Sequence, residues 1–275
     1  MRSFLKQVCI FIFLAAVFVE VSCVVLIVSN LFLIRYPGRE IYTAMAKSKQ
    51  KNKSKKVLIG DSVSQQLFPN EGEYENLNSL ACNQAIGIVG QYLLINNYIK
   101  AGNKIDTLVG FFNPFSFSDN LDQTFTYHYF LKPFDTREYA TYFTPAVENQ
   151  LNTIPYRHFN KVPHIYVSSW GPDVQNGEKH WTFLSPISAD YLRKIKQLAV
   201  ENHFTFILYP VPLSESRRKD IQALDSNEIE QSGLKKELTQ YFDKVQYLND
   251  SLFKDGTHLH HPELLTQTYQ KLFSE

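Results

Sequence analysis

From Val8 to Ile34 the chain reads VCIFIFLAAVFVEVSCVVLIVSNLFLI, apolar throughout except for Glu20, two serines and Asn30. About 20 apolar residues cross the hydrocarbon core of a bilayer as a helix, and the extra length here accommodates tilt. A cleaved signal peptide has a shorter apolar region and a small-x-small cleavage site. Neither is found, and Glu20 spoils EVSC as a lipoprotein site. The pattern predicts an uncleaved anchor over residues 1–36. Residues 37–54 are polar and rich in lysine, with no apolar period in their second half, and read as a juxtamembrane linker.

Beyond Lys55 the apolar positions come as short runs separated by helix-period segments. The runs are KVLIG (56–60), DTLVGFF (106–112), HIYVSS (164–169), FTFILYPV (204–211) and KVQYLND (244–250). Between them, QAIGIVGQYLLINNYIKAG repeats apolar residues at three- and four-residue steps and stops at Gly102. SPISADYLRKIKQLAVENH opens on Ser185 as a cap, with Pro186 at the first helical position. QSGLKKELTQYF and HPELLTQTYQKLF behave alike. Nearly all-apolar strands alternating with helices predict an α/β domain over 55–275, its parallel sheet covered on both faces. Residues 119–183, rich in Tyr, Phe, Pro and His, read as an insertion shaping a pocket rim.

Charge narrows the function. Lys and Arg number 28 against 27 Asp and Glu, so a nucleic-acid partner, which needs a basic excess, is not expected. Aromatics are abundant, with 16 Tyr, 21 Phe and 2 Trp. They favour a packed core, with sugar-stacking surfaces as the alternative. Cys9 and Cys23 fall in the anchor, which leaves Cys82 alone in the folded part and no intradomain disulfide. Arg2 and Lys6 precede the apolar span Val8–Ile34, but Arg35, Arg39 and four nearby lysines follow it. Read literally, the positive-inside rule keeps the domain in the cytoplasm, yet long domains translocate despite such charges. The residues leave the side open.

In an open α/β sheet, ligands sit beyond the carboxyl ends of the strands. Ser62, in IGDSV, directly follows the first strand there, where a lone serine is ordinarily a helix cap. Near the other end of the chain stands DGTHLHH, with Asp255 and His258 three residues apart. A serine hydroxyl becomes a nucleophile when a neutral imidazole takes its proton and a carboxylate fixes the imidazole's tautomer. Two other readings stand beside this one. Asp255 and Gly256 form a turn with His258 merely exposed, or His258, His260 and His261 bind a metal, although further ligands are not evident nearby.

IGDSV (59–63) together with DGTH (255–258) resembles the SGNH, or GDSL-like, hydrolases. That family keeps its serine in a Gly-Asp-Ser block and its base in an Asp-x-x-His block. NQAIGIVG is similar to the family's glycine block, at Gly87, and VGFFNPF to its asparagine block, at Asn113. All four blocks occur in family order. Pro114 after Asn113 departs from the usual Gly-x-Asn-Asp. The resemblance implies a flavodoxin-like, doubly wound, mainly parallel sheet without a metal or other cofactor. It implies Ser62 as nucleophile, His258 as base with His260 as a substitute, and Asp255 as orienting carboxylate. An oxyanion would be held by the Ser62 and Gly87 amides and the Asn113 side chain.

The anchor adds to this resemblance. A single span carrying such a domain is similar to accessory proteins of teichoic-acid D-alanylation and of alginate or peptidoglycan O-acetylation. These imply an outward-facing serine esterase or O-acyltransferase acting on acyl esters of a surface glycan. They also imply the lipid bilayer and a multispanning membrane O-acyltransferase as partners. The competing expectation is a catalytically silent subunit of a polysaccharide-modification complex, and a weaker one is a metal-dependent phosphoesterase.

Overall fold

The computed structural model describes residues 1–172, 174 and 179–274. The apolar N-terminus forms α1 (Arg2–Val28), the one helix among the described residues long and apolar enough to cross a membrane. A 3₁₀ turn at Leu31–Ile34 follows. The expected linker is largely absent. Residues Arg39–Ser48 form α2, which lays fully buried Ile41, Ala44 and Ser48 on the domain core. The spacing of three and four puts these residues on one face. The lysines that suggested a tether are on the polar side of α2 or beyond its end. Phe32, Tyr36, Tyr42 and Tyr166 close the joint between α1 and the domain edge-to-face, with ring centroids 5.5–6.4 Å apart. The Tyr42 hydroxyl also donates to that of Tyr166, at 3.0 Å.

The central sheet is mixed α/β in its setting and all-parallel in its pairing. β1 (Lys56–Gly60) runs into α3 (Ser62–Leu67), then β2 (Leu77–Ser79), α4 (Gly87–Lys100), β3 (Thr107–Phe112) and β4 (Thr205–Pro210). The spatial order is β2-β1-β3-β4, with Ile59 opposite Gly110 and Gly110 opposite Leu208. Alternate side chains of each strand enter different cores, as the two-residue period requires. Val57, Ile59, Leu108 and Phe112 join α2, α4 and the helix Pro186–Glu201 in the larger core. Leu58, Val109 and Phe111 join α3 and the helix Glu263–Ser274 in the smaller one. Both sheet faces are thereby covered.

Two expected strands are different. HIYVSS is no strand: Pro163–Val167 is a short helix with Pro163 at its first position. An apolar run of that length fits either state, and among the described residues it packs against α1 and the turn Arg157–Lys161 rather than against a strand. KVQYLND contributes β6 (Tyr247–Leu248), which pairs with β5 (Leu213–Ser214) in a separate two-stranded sheet. Among the described residues the main sheet therefore has four strands. The expected insertion also does more than form a rim. Tyr127, Phe130, Phe134 and Tyr139 are buried in the larger core. Its residues 173 and 175–178 lie outside the described residues.

The helix Pro186–Glu201 begins as its sequence implied. Ser185 Oγ accepts from the Ser188 amide at 3.0 Å and donates to the Asp119 carbonyl at 2.6 Å. Ser185→Ala removes both bonds at a buried cap and should cost about 1–2 kcal/mol. Thermal unfolding in detergent should then show Tm lowered by roughly 3–6 °C.

Candidate active site

Strand order β2-β1-β3-β4 reverses direction of build between β1 and β3, and in such sheets the crevice beyond that point receives ligands. Two of the sequence-derived residues emerge there. Ser62 is the first residue of α3 after β1, and Asn113 follows β3 directly. The turn into α3 is tight. A side chain on Gly60 would put its Cβ 2.3 Å from the Phe111 carbonyl oxygen and 2.4 Å from Ser64 Oγ, so only glycine fits.

Asp61 sets this turn, a role that went unassigned in the sequence. It is 1% exposed, and its two oxygens are shared between the loops. Oδ1 caps α3 by accepting from the Val63 and Ser64 amides at 3.0 and 3.3 Å. Oδ2 accepts from the Asn113 amide at 2.5 Å and the Ser116 hydroxyl at 2.7 Å. Burial pushes its carboxyl above the ordinary range, against the pull of those four bonds. The Asp61 side chain is the joint between the serine loop and the asparagine loop. The cap of α3 is therefore Asp61 and not Ser62, the residue a lone serine after a strand would suggest, and the second pair of bonds is purely tertiary.

The loop after β6 brings the other two residues in. Ser62 Oγ lies 2.9 Å from His258 Nε2, and His258 Nδ1 lies 2.8 Å from Asp255 Oδ2. Asp255 Oδ1 also accepts from the Thr257 and His258 amides, at 3.0 and 2.7 Å. Burial pulls the Asp255 carboxyl up, but the bonds from His258 and Thr257 outweigh it and hold it at about 2. Asp255 thus stays a carboxylate down to about pH 2, which fixes the proton on Nδ1 and leaves Nε2 to accept from Ser62. The loop is pinned at both ends of this contact. Phe253 and Leu259 are buried in the smaller core, and the Leu259 amide donates to Gln66 Oε1 at 3.1 Å. Gln66 is one turn beyond Ser62 on α3, so nucleophile and base are referenced to the same helix. No sequence signal marked Gln66.

The expected oxyanion donors divide. Asp61 takes the second and third amides of α3, and the Ser62 amide is left without a hydrogen bond among the described residues. Asn113 Oδ1 accepts from the Phe115 amide at 3.0 Å, while its Nδ2 makes no bond among the described residues. Pro114 is harmless to this arrangement, because it occupies the first position of a 3₁₀ turn that needs no amide there. Gly87 requires correction. Its amide donates to the Gln84 carbonyl, closing the turn before α4, and so is not a free donor. Gly87 has φ +57°, and its α-carbon faces Asp119, a Cβ there falling 3.1 Å from Asp119 Oδ2. The glycine is required for backbone shape and for packing against Asp119.

The histidine cluster does not converge. Both ring nitrogens of His258 are engaged, and His261 Nδ1 pairs with Glu263 at 3.0 Å. No group of three or more potential ligands is arranged to hold a metal among the described residues. The imidazole within reach of Ser62 is that of His258, not that of His260.

No family model matches the chain, and no curated protein matches it. Among solved structures, a Bacteroides fragilis protein described as a "putative acylhydrolase" aligns at 11% identity and a TM-score of 0.39. The alignment covers 86% of this chain and 94% of that one. A likeness this loose assigns neither a residue nor an activity.

Proposed function

We propose that this chain is a serine ester hydrolase or O-acyltransferase of the SGNH type, anchored in a membrane through α1. What carries the reading is the 2.9 Å contact between Ser62 Oγ and an imidazole whose other nitrogen is held by Asp255. A silent scaffold has no need of that succession of contacts. Ser62 attacks the acyl carbonyl as His258 Nε2 takes its proton, and the carbonyl oxygen becomes an oxyanion. The Ser62 amide and Asn113 Nδ2 are its donors, each worth roughly 3–4 kcal/mol of barrier. Collapse expels the alcohol, which receives the proton from His258, and leaves an acyl ester on Ser62. Water or a second hydroxyl then takes the acyl group by the same steps in reverse.

The His258 side chain is 34% exposed and that of Asp255 56%, so the site is open to solvent. An open site suits an ester carried on a large molecule. We assign the substrate as an acyl ester, with acetyl the smallest case, on a cell-surface glycan. The domain then faces outward and exchanges acyl groups with a multispanning membrane acyltransferase.

A fluorophosphonate probe tests the core of this proposal. The full chain in detergent should acquire one adduct, located by peptide mass spectrometry to the segment holding Ser62. His258→Ala should abolish it. A folded wild-type chain that takes no adduct would refute the assignment.

A further inference from the structure

α1 is covered by the domain on one side only, and only along its last third. Glu20, Cys23, Leu26 and Ile27, at helical spacing, are half-buried or buried, and the short helix Pro163–Val167 packs against them. The Glu20 carboxylate receives the His164 amide at 3.2 Å and also pairs with the His164 ring. N-terminal to Glu20 the helix stands free of the domain. Its residues 2–19 extend roughly 27 Å at 1.5 Å per residue. That is close to the hydrocarbon thickness of a bilayer, about 30 Å. With Arg2 and Lys6 reaching the far headgroups by their long side chains, the first polar contact between α1 and the domain falls at the opposite boundary of the bilayer, and whatever flanks Pro163–Val167 stands at headgroup level.

What flanks it is an exposed aromatic patch. Tyr156 is 59% exposed, Phe159 51% and Trp170 47%. The Tyr156 ring lies 5.9 Å from both of the others. Phe159 belongs to a 3₁₀ turn packed on the short helix, and Trp170 follows that helix by three residues. His158 and Lys161 are exposed among them. Trp and Tyr concentrate at membrane–water boundaries, where ring and polar edge are both satisfied, and lysine suits the headgroups.

From this juxtaposition we propose that Tyr156, Phe159 and Trp170 form a second membrane contact, which enters the headgroup–acyl boundary of the leaflet where α1 emerges. The occupant of the patch is lipid. A single spanning helix leaves a domain free to rotate about its axis, and a second contact beside it fixes that rotation. The inference rests on α1 spanning the bilayer.

The test uses the full chain in phospholipid nanodiscs whose acyl chains are brominated near the headgroup. In Trp181→Phe the remaining tryptophan is Trp170, and its fluorescence should fall by about half relative to unbrominated lipid. In Trp170→Phe the remaining Trp181, whose indole donates to the Ser118 carbonyl at 2.9 Å, should be unchanged. Should Trp181→Phe not fold, the quenching lost between wild type and Trp170→Phe reads the same quantity. Cys9, exposed on α1 while Cys23 and Cys82 are buried, reports on the premise through a water-soluble maleimide. Protected Cys9 with quenched Trp170 supports the proposal. Protected Cys9 with unquenched Trp170 overturns it alone, including when Trp170 is shielded from aqueous iodide by a second protein copy. Reactive Cys9 overturns the spanning premise, and the proposal with it.

Discussion

On the proposed function, Ser62→Ala is expected to lower turnover of an activated acetyl ester by about 10⁶-fold, as loss of a triad nucleophile does in serine hydrolases. The fold should survive the change. Ser62 sits at the first turn of α3, where alanine is a good helix former, and its hydroxyl makes one side-chain contact, to His258. His258 remains held by Asp255 and by the Leu259–Gln66 bond. Stability should therefore move within about 0.5 kcal/mol. His258→Ala should cost a comparable factor, since the two act as a unit, and the double variant should be no worse than either. The measurement is initial rate at saturating ester, with acetate release from an acetylated glycan as a second readout. Equal activity in wild type and both variants would remove the assigned roles of Ser62 and His258.

Asp61→Ala should fail differently, by losing the fold. Four donors would lose their acceptor together: the Val63, Ser64 and Asn113 amides and the Ser116 hydroxyl. All belong to segments at the sheet's carboxyl edge, and water has little access to Asp61. Each bond to a charged group contributes about 1.5–3 kcal/mol, so a loss of at least about 5 kcal/mol is expected. That approaches the whole stability of a typical domain, about 5–15 kcal/mol. Asp61→Asn keeps one oxygen for the α3 cap but presents an NH₂ group to the Asn113 amide. It should lie between wild type and alanine in urea midpoint. A wild-type midpoint for Asp61→Ala would show that the two loops are held by something else.

The candidate catalytic residues were legible because each stands in a short local pattern of its own, although the contact that joins Ser62 to His258 spans 196 positions. Asp255 and His258 are joined by a turn, and Ser62 follows its strand at once. The parts that hold the chemistry in place were not. Gln66 and Ser116 act through bonds to residues 193 and 55 positions away, and nothing local distinguishes them from ordinary surface polar residues. Gly87 shows the opposite error: a glycine in a fitting block has its amide already engaged by its own turn. In the fold, β1, β3 and β4 were readable as uninterrupted apolar runs. β2 was hidden because two of its three residues, Asn78 and Ser79, are polar yet buried. α2 was hidden because it buries only two apolar positions, Ile41 and Ala44, and runs straight into the lysine-rich stretch that begins at Lys47.

The burial of α2 also sets how far the Ser62 site reaches. A flexible stretch over residues 37–54 would let the Ser62 end of the domain wander by roughly 24 Å, the root-mean-square span of such a coil. With Ile41 and Ala44 locked into the core and the Phe32–Tyr36–Tyr42–Tyr166 cluster closing the joint, that slack is gone. Once α1 is in a bilayer, Ser62 works at one fixed altitude. On the proposed function the ester must then be delivered to that plane, and lengthening the joint with a glycine-serine insert would change which part of a polymer is within range.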